Sequence, residues 1–133
     1  MNGSGVVYLD SSAVVKLVVE ETESGALKAF LAPRSERVTC SLARTEVVRA
    51  VAFLGEAAVR RARLILAGFD LIAMDDALLD DAARLDPPNL RSLDAMHLAA
   101  ARLVSPHLET VVTYDYRMAA AAVALKLPTC SPT

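Results

Sequence analysis

The stretch Val6-Val7-Tyr8-Leu9-Asp10-Ser11-Ser12-Ala13-Val14-Val15-Lys16-Leu17-Val18-Val19 decides how this chain folds. Its first four residues are β-branched, aromatic or aliphatic and stop at an aspartate, which reads as a buried strand. Ser11 and Ser12 then stand where a helix cap is needed, before the apolar segment from Ala13 to Val19. A strand that ends in a carboxylate and turns at once into a helix is the first unit of an α/β architecture.

The rest of the chain repeats the alternation. Thr22 to Leu31 predicts a helix closed by Pro33, Val38-Thr39-Cys40 a short strand, and Leu42 to Leu54 a helix with core positions Val47, Ala50, Val51 and Leu54, punctuated by Gly55. Glu56 to Leu66 continues helical. Asp70 to Met74 is a strand candidate, and Asp75 to Leu85 is helical until Pro87-Pro88 stops it. Ser92 is placed to cap a helix from Leu93 to Leu103, Thr110 to Tyr114 reads as a strand, Tyr116 to Leu125 as a helix, and a last short strand falls near Thr129. Strands alternating with helices predict an α/β fold with a mostly parallel central sheet covered on both faces.

At 133 residues the length fits one domain, and 54% apolar against 23% charged residues is enough for a real core. The longest apolar run, Met118 to Leu125, is far shorter than the roughly 18 residues a membrane span needs. The opening Met1-Asn2-Gly3-Ser4-Gly5 has neither the positive flank nor the apolar stretch of a signal peptide, so a cytoplasmic location is expected. Cys40 and Cys130 show no metal-ligand spacing and are expected to be isolated thiols. Lys and Arg total 14 against 16 Asp and Glu, which argues against coating nucleic acid through bulk charge but leaves room for a nuclease with an acidic centre. The charge is also uneven: Arg44 to Arg63 holds five Arg and two Glu, whereas Asp70 to Asp94 holds seven Asp and two Arg.

Four acids stand out. Asp10 ends the first strand and Asp115 follows the run Val111-Val112-Thr113-Tyr114, so both fall at the sheet edge where α/β proteins gather functional groups, provided their strands are neighbours. Asp94 lies in the first turn of its helix, where the macrodipole favours a carboxylate with or without a function. Glu46 borders the apolar face of its helix and must snorkel, pair with Arg49 or bind something. Carboxylates converging without His or Cys favour a hard cation such as Mg²⁺ or Mn²⁺ over zinc. Asp75, Asp76, Asp80 and Asp81 read instead as a solvated helix face with caps.

The blocks Val7-Tyr8-Leu9-Asp10-Ser11-Ser12-Ala13, Ser41-Leu42-Ala43-Arg44-Thr45-Glu46, Leu93-Asp94-Ala95-Met96-His97-Leu98-Ala99 and Val112-Thr113-Tyr114-Asp115 resemble, in order and spacing, the PIN-domain ribonucleases, and the length resembles the VapC-type toxins of toxin and antitoxin pairs. The resemblance covers essentially the whole chain, residues 1–133. It implies a three-layer α/β/α sandwich with an acidic pocket holding Mg²⁺ or Mn²⁺, endonucleolytic hydrolysis of RNA, a small antitoxin partner and a homodimer. It also implies that Asp10, Glu46, Asp94 and Asp115 are the catalytic, metal-binding quartet. Ser11 and Thr113 would orient water or a carboxylate, although a helix cap or a strand-end hydrogen bond explains each equally well. Tyr116 departs from the polar residue that related sequences often place after the last acid.

Arg44, Arg49, Arg60, Arg61 and Arg63 are candidates for RNA phosphate contacts, and Tyr114 or Tyr116 for stacking a base, with one of the two expected in the core. Arg91 is a further RNA-binding candidate that either pairs with an acid near the pocket or sits in the loop after Pro87-Pro88. His97, one turn after Asp94, reads as a packing histidine rather than a general base. Three alternatives stand beside this reading: a housekeeping RNA-processing nuclease, a catalytically silent binding module of the same fold, and a haloacid-dehalogenase-type phosphoryl transferase. The last wants a second Asp two residues after the first, where this chain has Ser12.

Overall fold

Five strands form one parallel sheet in a computed structural model that describes residues 5–133. Met1 to Ser4, read above as lacking leader features, lie outside the described residues. The strands are β1 (Val6–Leu9), β2 (Arg37–Cys40), β3 (Asp70–Ile72), β4 (Leu108–Val112) and β5 (Thr129–Cys130), ordered β3-β2-β1-β4-β5. The expected neighbours are therefore real neighbours: Tyr8 and Leu9 of β1 lie beside Val111 and Val112 of β4.

Alternation along each strand sends its side chains to two separate cores. Val7 and Leu9 face one side with Val112, under α1 (Ser11–Val18), α2 (Ser24–Leu31), α3 (Ala43–Val51) and α4 (Glu56–Leu66). Tyr8 faces the other side with Val38, Cys40 and Val111, under α5 (Asp76–Ala83), α6 (Ser92–Leu103) and α7 (Tyr116–Ala124). The result is the α/β/α sandwich. Val14, Leu27, Leu31 and Leu98 are among its fully buried side chains, each contributing about 1.5–3 kcal/mol of transfer free energy.

Several boundaries differ from the sequence reading, for identifiable reasons. The cap of α1 is Asp10 rather than Ser11 or Ser12, its carboxylate accepting from the Ala13 N–H. The serines were nearer the apolar run, but an aspartate caps as well and the chain turns one residue earlier. Helix α6 starts at Ser92 itself, and its capping position, Arg91, makes no side-chain cap bond. Helix α3 ends at Val51 and passes through a 3₁₀ turn, Ala52–Leu54, so the buried stripe is Ala43, Val47 and Val51 while Ala50 and Leu54 are exposed. Gly55 follows with φ +103°, a left-handed conformation that lets the chain reverse into α4. Strand β4 starts at Leu108 and ends at Val112, which leaves Thr113 to Asp115 as the turn leading into α7.

Candidate active site

The strand order reverses at β1, because β2 lies on one side of it and β4 on the other. In open parallel sheets a ligand crevice forms beyond the carboxyl ends of the strands at such a point. Here that crevice is a cleft of about 350 Å³ lined by Asp10, Ser11, Ser12, Glu46, Arg91, Ser92, Leu93, Asp94, His97, Asp115 and Met118. The four acids singled out in the sequence thus come from four different parts of the chain to one place.

Asp10 is almost fully buried and has both oxygens engaged. Its Oδ1 accepts from Ser12 Oγ at 2.7 Å and from the Ala13 N–H at 3.0 Å, and its Oδ2 accepts from Thr113 Oγ1 at 2.6 Å. Burial pushes its carboxyl up from the ordinary value, against the opposing pull of these donors. Thr113 also accepts from the Asp115 N–H at 3.1 Å, so a single hydroxyl ties the first acid to the turn that carries the last.

Glu46 does not pair with Arg49. Ser11 Oγ donates to its Oε1 at 2.6 Å, and His97 Nε2 lies 2.8 Å from the same oxygen, so neither bond falls on Oε2. Partial burial works against its charge, but the bonds from His97 and Ser11 outweigh it and hold the carboxyl below its ordinary range. Ser11 and Thr113, expected to orient either water or a carboxylate, each orient a carboxylate.

Asp94 and Asp115 share one cation. The Arg91 guanidinium donates through Nε to Asp94 Oδ2 at 2.8 Å and through Nη2 to Asp115 Oδ2 at 2.8 Å. Asp115 also caps α7, its Oδ1 accepting from the Arg117 and Met118 N–H groups. Some burial opposes its charge, yet these backbone donors and Arg91 hold its carboxyl below the ordinary range.

His97 is buried and meets protein groups at both ring nitrogens. Nδ1 lies 2.8 Å from Tyr8 Oη and 3.6 Å from Cys40 Sγ, while Nε2 faces Glu46 and, at 3.2 Å, Ser11 Oγ. Tyr8 and His97 meet edge to face, with ring centroids 5.9 Å apart. Burial disfavours a charged imidazole, but the contacts with Cys40 and Glu46 outweigh it and raise the pKa to about 10. Burial keeps Tyr8 a neutral phenol.

The remaining candidates divide by position. Arg44 and Arg63 flank a separate shallow groove with Leu66, Ala67 and Leu71, and Arg61 donates to the Val18 carbonyl at the end of α1. Arg49 and Arg60 are exposed on their helices and do not line the cleft. Arg91 is the arginine among the cleft-lining residues. Tyr114 is half-buried, donating to the Pro132 carbonyl beneath Lys16, whereas Tyr116 is 93% exposed at the cleft's outer edge beside Asp115 and Arg117. Cys40 and Cys130 are free thiols. Sequence reasoning gave Ser12 and Tyr8 no role at the site. Ser12 had a local signal, a hydroxyl two residues after an acid, whereas nothing near Tyr8 in the chain points to His97.

Among the described residues no three His, Cys, Asp or Glu side chains are gathered into a ready-made metal cage. The donors nevertheless fit Mg²⁺ or Mn²⁺: Mg²⁺ keeps several waters and is held by one or two carboxylates together with substrate phosphate. The Arg91 guanidinium, bridging Asp94 and Asp115, marks where positive charge is accepted.

The family model described as PIN domain matches residues 7–124. The chain belongs to the PIN-domain family. It is 46% identical over 127 residues to Ribonuclease VapC46 of Mycobacterium tuberculosis, a match covering 96% of this chain and 98% of that relative. Among solved structures, the fold is similar to a toxin–antitoxin complex from Klebsiella pneumoniae, with a TM-score of 0.73, 20% identity and coverage of 96% of this chain and 98% of that one. It is also similar to the Mycobacterium tuberculosis toxin VapC20, described as cleaving the sarcin–ricin loop, with a TM-score of 0.72, 18% identity and coverage of 86% and 94%. This PIN domain is a nuclease related over nearly its whole length to a VapC ribonuclease. No helix among its described residues is long and apolar enough to cross a membrane.

Proposed function

We propose that this PIN domain, residues 1–133 acting as one unit, is a Mg²⁺- or Mn²⁺-dependent endoribonuclease. It hydrolyses phosphodiester bonds in structured or single-stranded RNA and serves as the toxin of a toxin–antitoxin pair in the cytoplasm. The observation that carries this reading is the convergence of Asp10, Glu46, Asp94 and Asp115 on one cleft at the switch point of the sheet. In this reading those four side chains would hold the cation, directly or through its waters, and the chemistry it would supply is a more acidic water and an offset to charge on the phosphate.

The protein's own part is positioning. Thr113 and Ser12 fix the Asp10 carboxylate, Ser11 fixes that of Glu46, and the α7 backbone fixes that of Asp115. Arg91, already seated between two acids, and the exposed Tyr116 are placed to meet RNA phosphate and base at the mouth. Attack by external water leaves a 5′-phosphate and a 3′-hydroxyl. The antitoxin is a small protein that covers the helices and blocks the cleft, and homodimerisation draws on the exposed side of α7, where Val123 is uncovered.

The test is expression in a bacterial host followed by mapping of new RNA 5′ ends, comparing the parent with Asp94→Asn. New 5′-phosphorylated ends at discrete sites and growth arrest, both absent with the variant, are expected. The same ends with Asp94→Asn would exclude this site.

A further inference from the structure

His97 is the one side chain of the cleft whose two nitrogens look in opposite directions, one into a core and one at a cleft carboxylate. Its Nδ1 meets Tyr8 Oη, which belongs to the middle strand and is fully buried under α5–α7. Its Nε2 meets Oε1 of Glu46, which rises from the first turn of α3 on the opposite face of the sheet. The chain runs 89 residues between Tyr8 and His97, and 51 between Glu46 and His97, so only the finished fold joins the three.

We infer that Tyr8 and His97 form an internal brace that fixes the Glu46 carboxylate with Oε2 turned away from the brace, which makes His97 a positioning residue for the cation and water at this site. The inference rests on the proposed metal-dependent cleavage. A glutamate has three side-chain torsions, and ordering it from solvent gives up rotamer freedom that its partners must offset. Arg49 stands one turn away as a competing partner. Ser11 alone holds Glu46 from one side. The imidazole adds a second bond to the same oxygen, and two bonds on Oε1 set the plane of the carboxylate. The brace does not depend on the charge of the ring: a carboxylate acceptor requires a proton on Nε2, and the phenol of Tyr8 can either donate to a bare Nδ1 or accept from a protonated one. Outer partners of this kind typically change metal affinity or activity by 10–100-fold when removed.

A histidine that merely fills space predicts something different, namely loss of stability with unchanged chemistry in whatever fraction folds. The conservative series separates the two. His97→Gln keeps an N–H near the Nε2 position but loses Tyr8, His97→Leu loses both contacts, and Tyr8→Phe removes only the hydroxyl. We would titrate each purified protein with Mn²⁺ by calorimetry and measure kcat and KM on a structured RNA. In the metal-free parent and in Glu46→Ala, we would follow the imidazole N–H signals by NMR.

The expected results are a Mn²⁺ affinity and a kcat about tenfold or more below the parent for His97→Leu, partial recovery in His97→Gln, and RNA KM within about twofold throughout. In the metal-free parent, the His97 Nε2–H signal should be protected from exchange and should lose that protection in Glu46→Ala. Parent-like Mn²⁺ affinity and kcat in folded His97→Leu, or an Nε2–H equally protected without Glu46, would overturn the brace. If His97→Leu does not fold, Tyr8→Phe and the NMR signal decide. If the parent itself neither binds Mn²⁺ nor cuts RNA, the proposed function fails, while the metal-free NMR result still judges the brace.

Discussion

Asp10 and Glu46 are held from inside the protein, by Thr113, Ser12, Ser11 and His97, whereas Asp94 and Asp115 are bridged on the solvent side by an arginine whose side chain is 56% exposed, with the α7 backbone holding the other Asp115 oxygen. The first pair depends on short bonds to groups in the first turn of α1, on α6 and in the turn after β4. The second pair is joined by a guanidinium that water and salt can reach. One half of the cleft is thus built as a fixed frame, while the other is tied by a charge that a competing cation or a phosphate can displace. Under the proposed metal-dependent cleavage, admitting an ion and then RNA would draw on both kinds of support.

Asp10→Asn should have the largest effect. Asparagine caps a helix about as well as aspartate, so α1 should persist, while the charge at the centre of the fixed half is lost. RNA cleavage should fall by about a hundredfold or more, read as initial rates in Mg²⁺. Thr113→Val comes next, because it leaves the buried Asp10 oxygen without its 2.6 Å donor. We expect a loss of about 1–3 kcal/mol in chemical denaturation.

A pH series sharpens the contrast further. The His97 pKa is raised from 6.5 to about 10, so the stability it contributes is complete below pH 6.5 and is lost as the pH rises through about 10. Denaturation midpoints of the parent should decline over that window more than those of His97→Gln. Parallel curves would show that the ring carries no such linkage. The smallest effect belongs to the other half: Arg91→Gln should shift the denaturation midpoint only slightly, with the difference shrinking as salt is raised.

How far the sequence alone discloses this arrangement follows from the range of the forces involved. Asp10 and Asp115 were legible because an apolar run that stops in a carboxylate is a local signal, and the helix-strand alternation implied the parallel sheet. Glu46 was legible as an anomaly, an acid bordering an apolar helix face, but its partner was not. Arg49 was the candidate within one turn, whereas the bond goes to His97 on α6. Likewise Arg91 offered two readings until the fold brought Asp94 and Asp115 to the same guanidinium. The cap of α1 was misplaced by one or two residues because Asp, Ser and Ser are all competent caps. Helical periodicity points Leu54 into the core, but the segment Ala52–Leu54 tightens to a 3₁₀ turn and leaves it exposed.

The most direct test of the whole account is incubation of purified protein with an end-labelled structured RNA in Mg²⁺, in excess chelator, and with Asp10→Asn in Mg²⁺. Cuts are expected in the first reaction alone, with fragments bearing 5′-phosphate and 3′-hydroxyl ends. Equal cutting in chelator or by Asp10→Asn, or fragments ending in 2′,3′-cyclic phosphate, would contradict it.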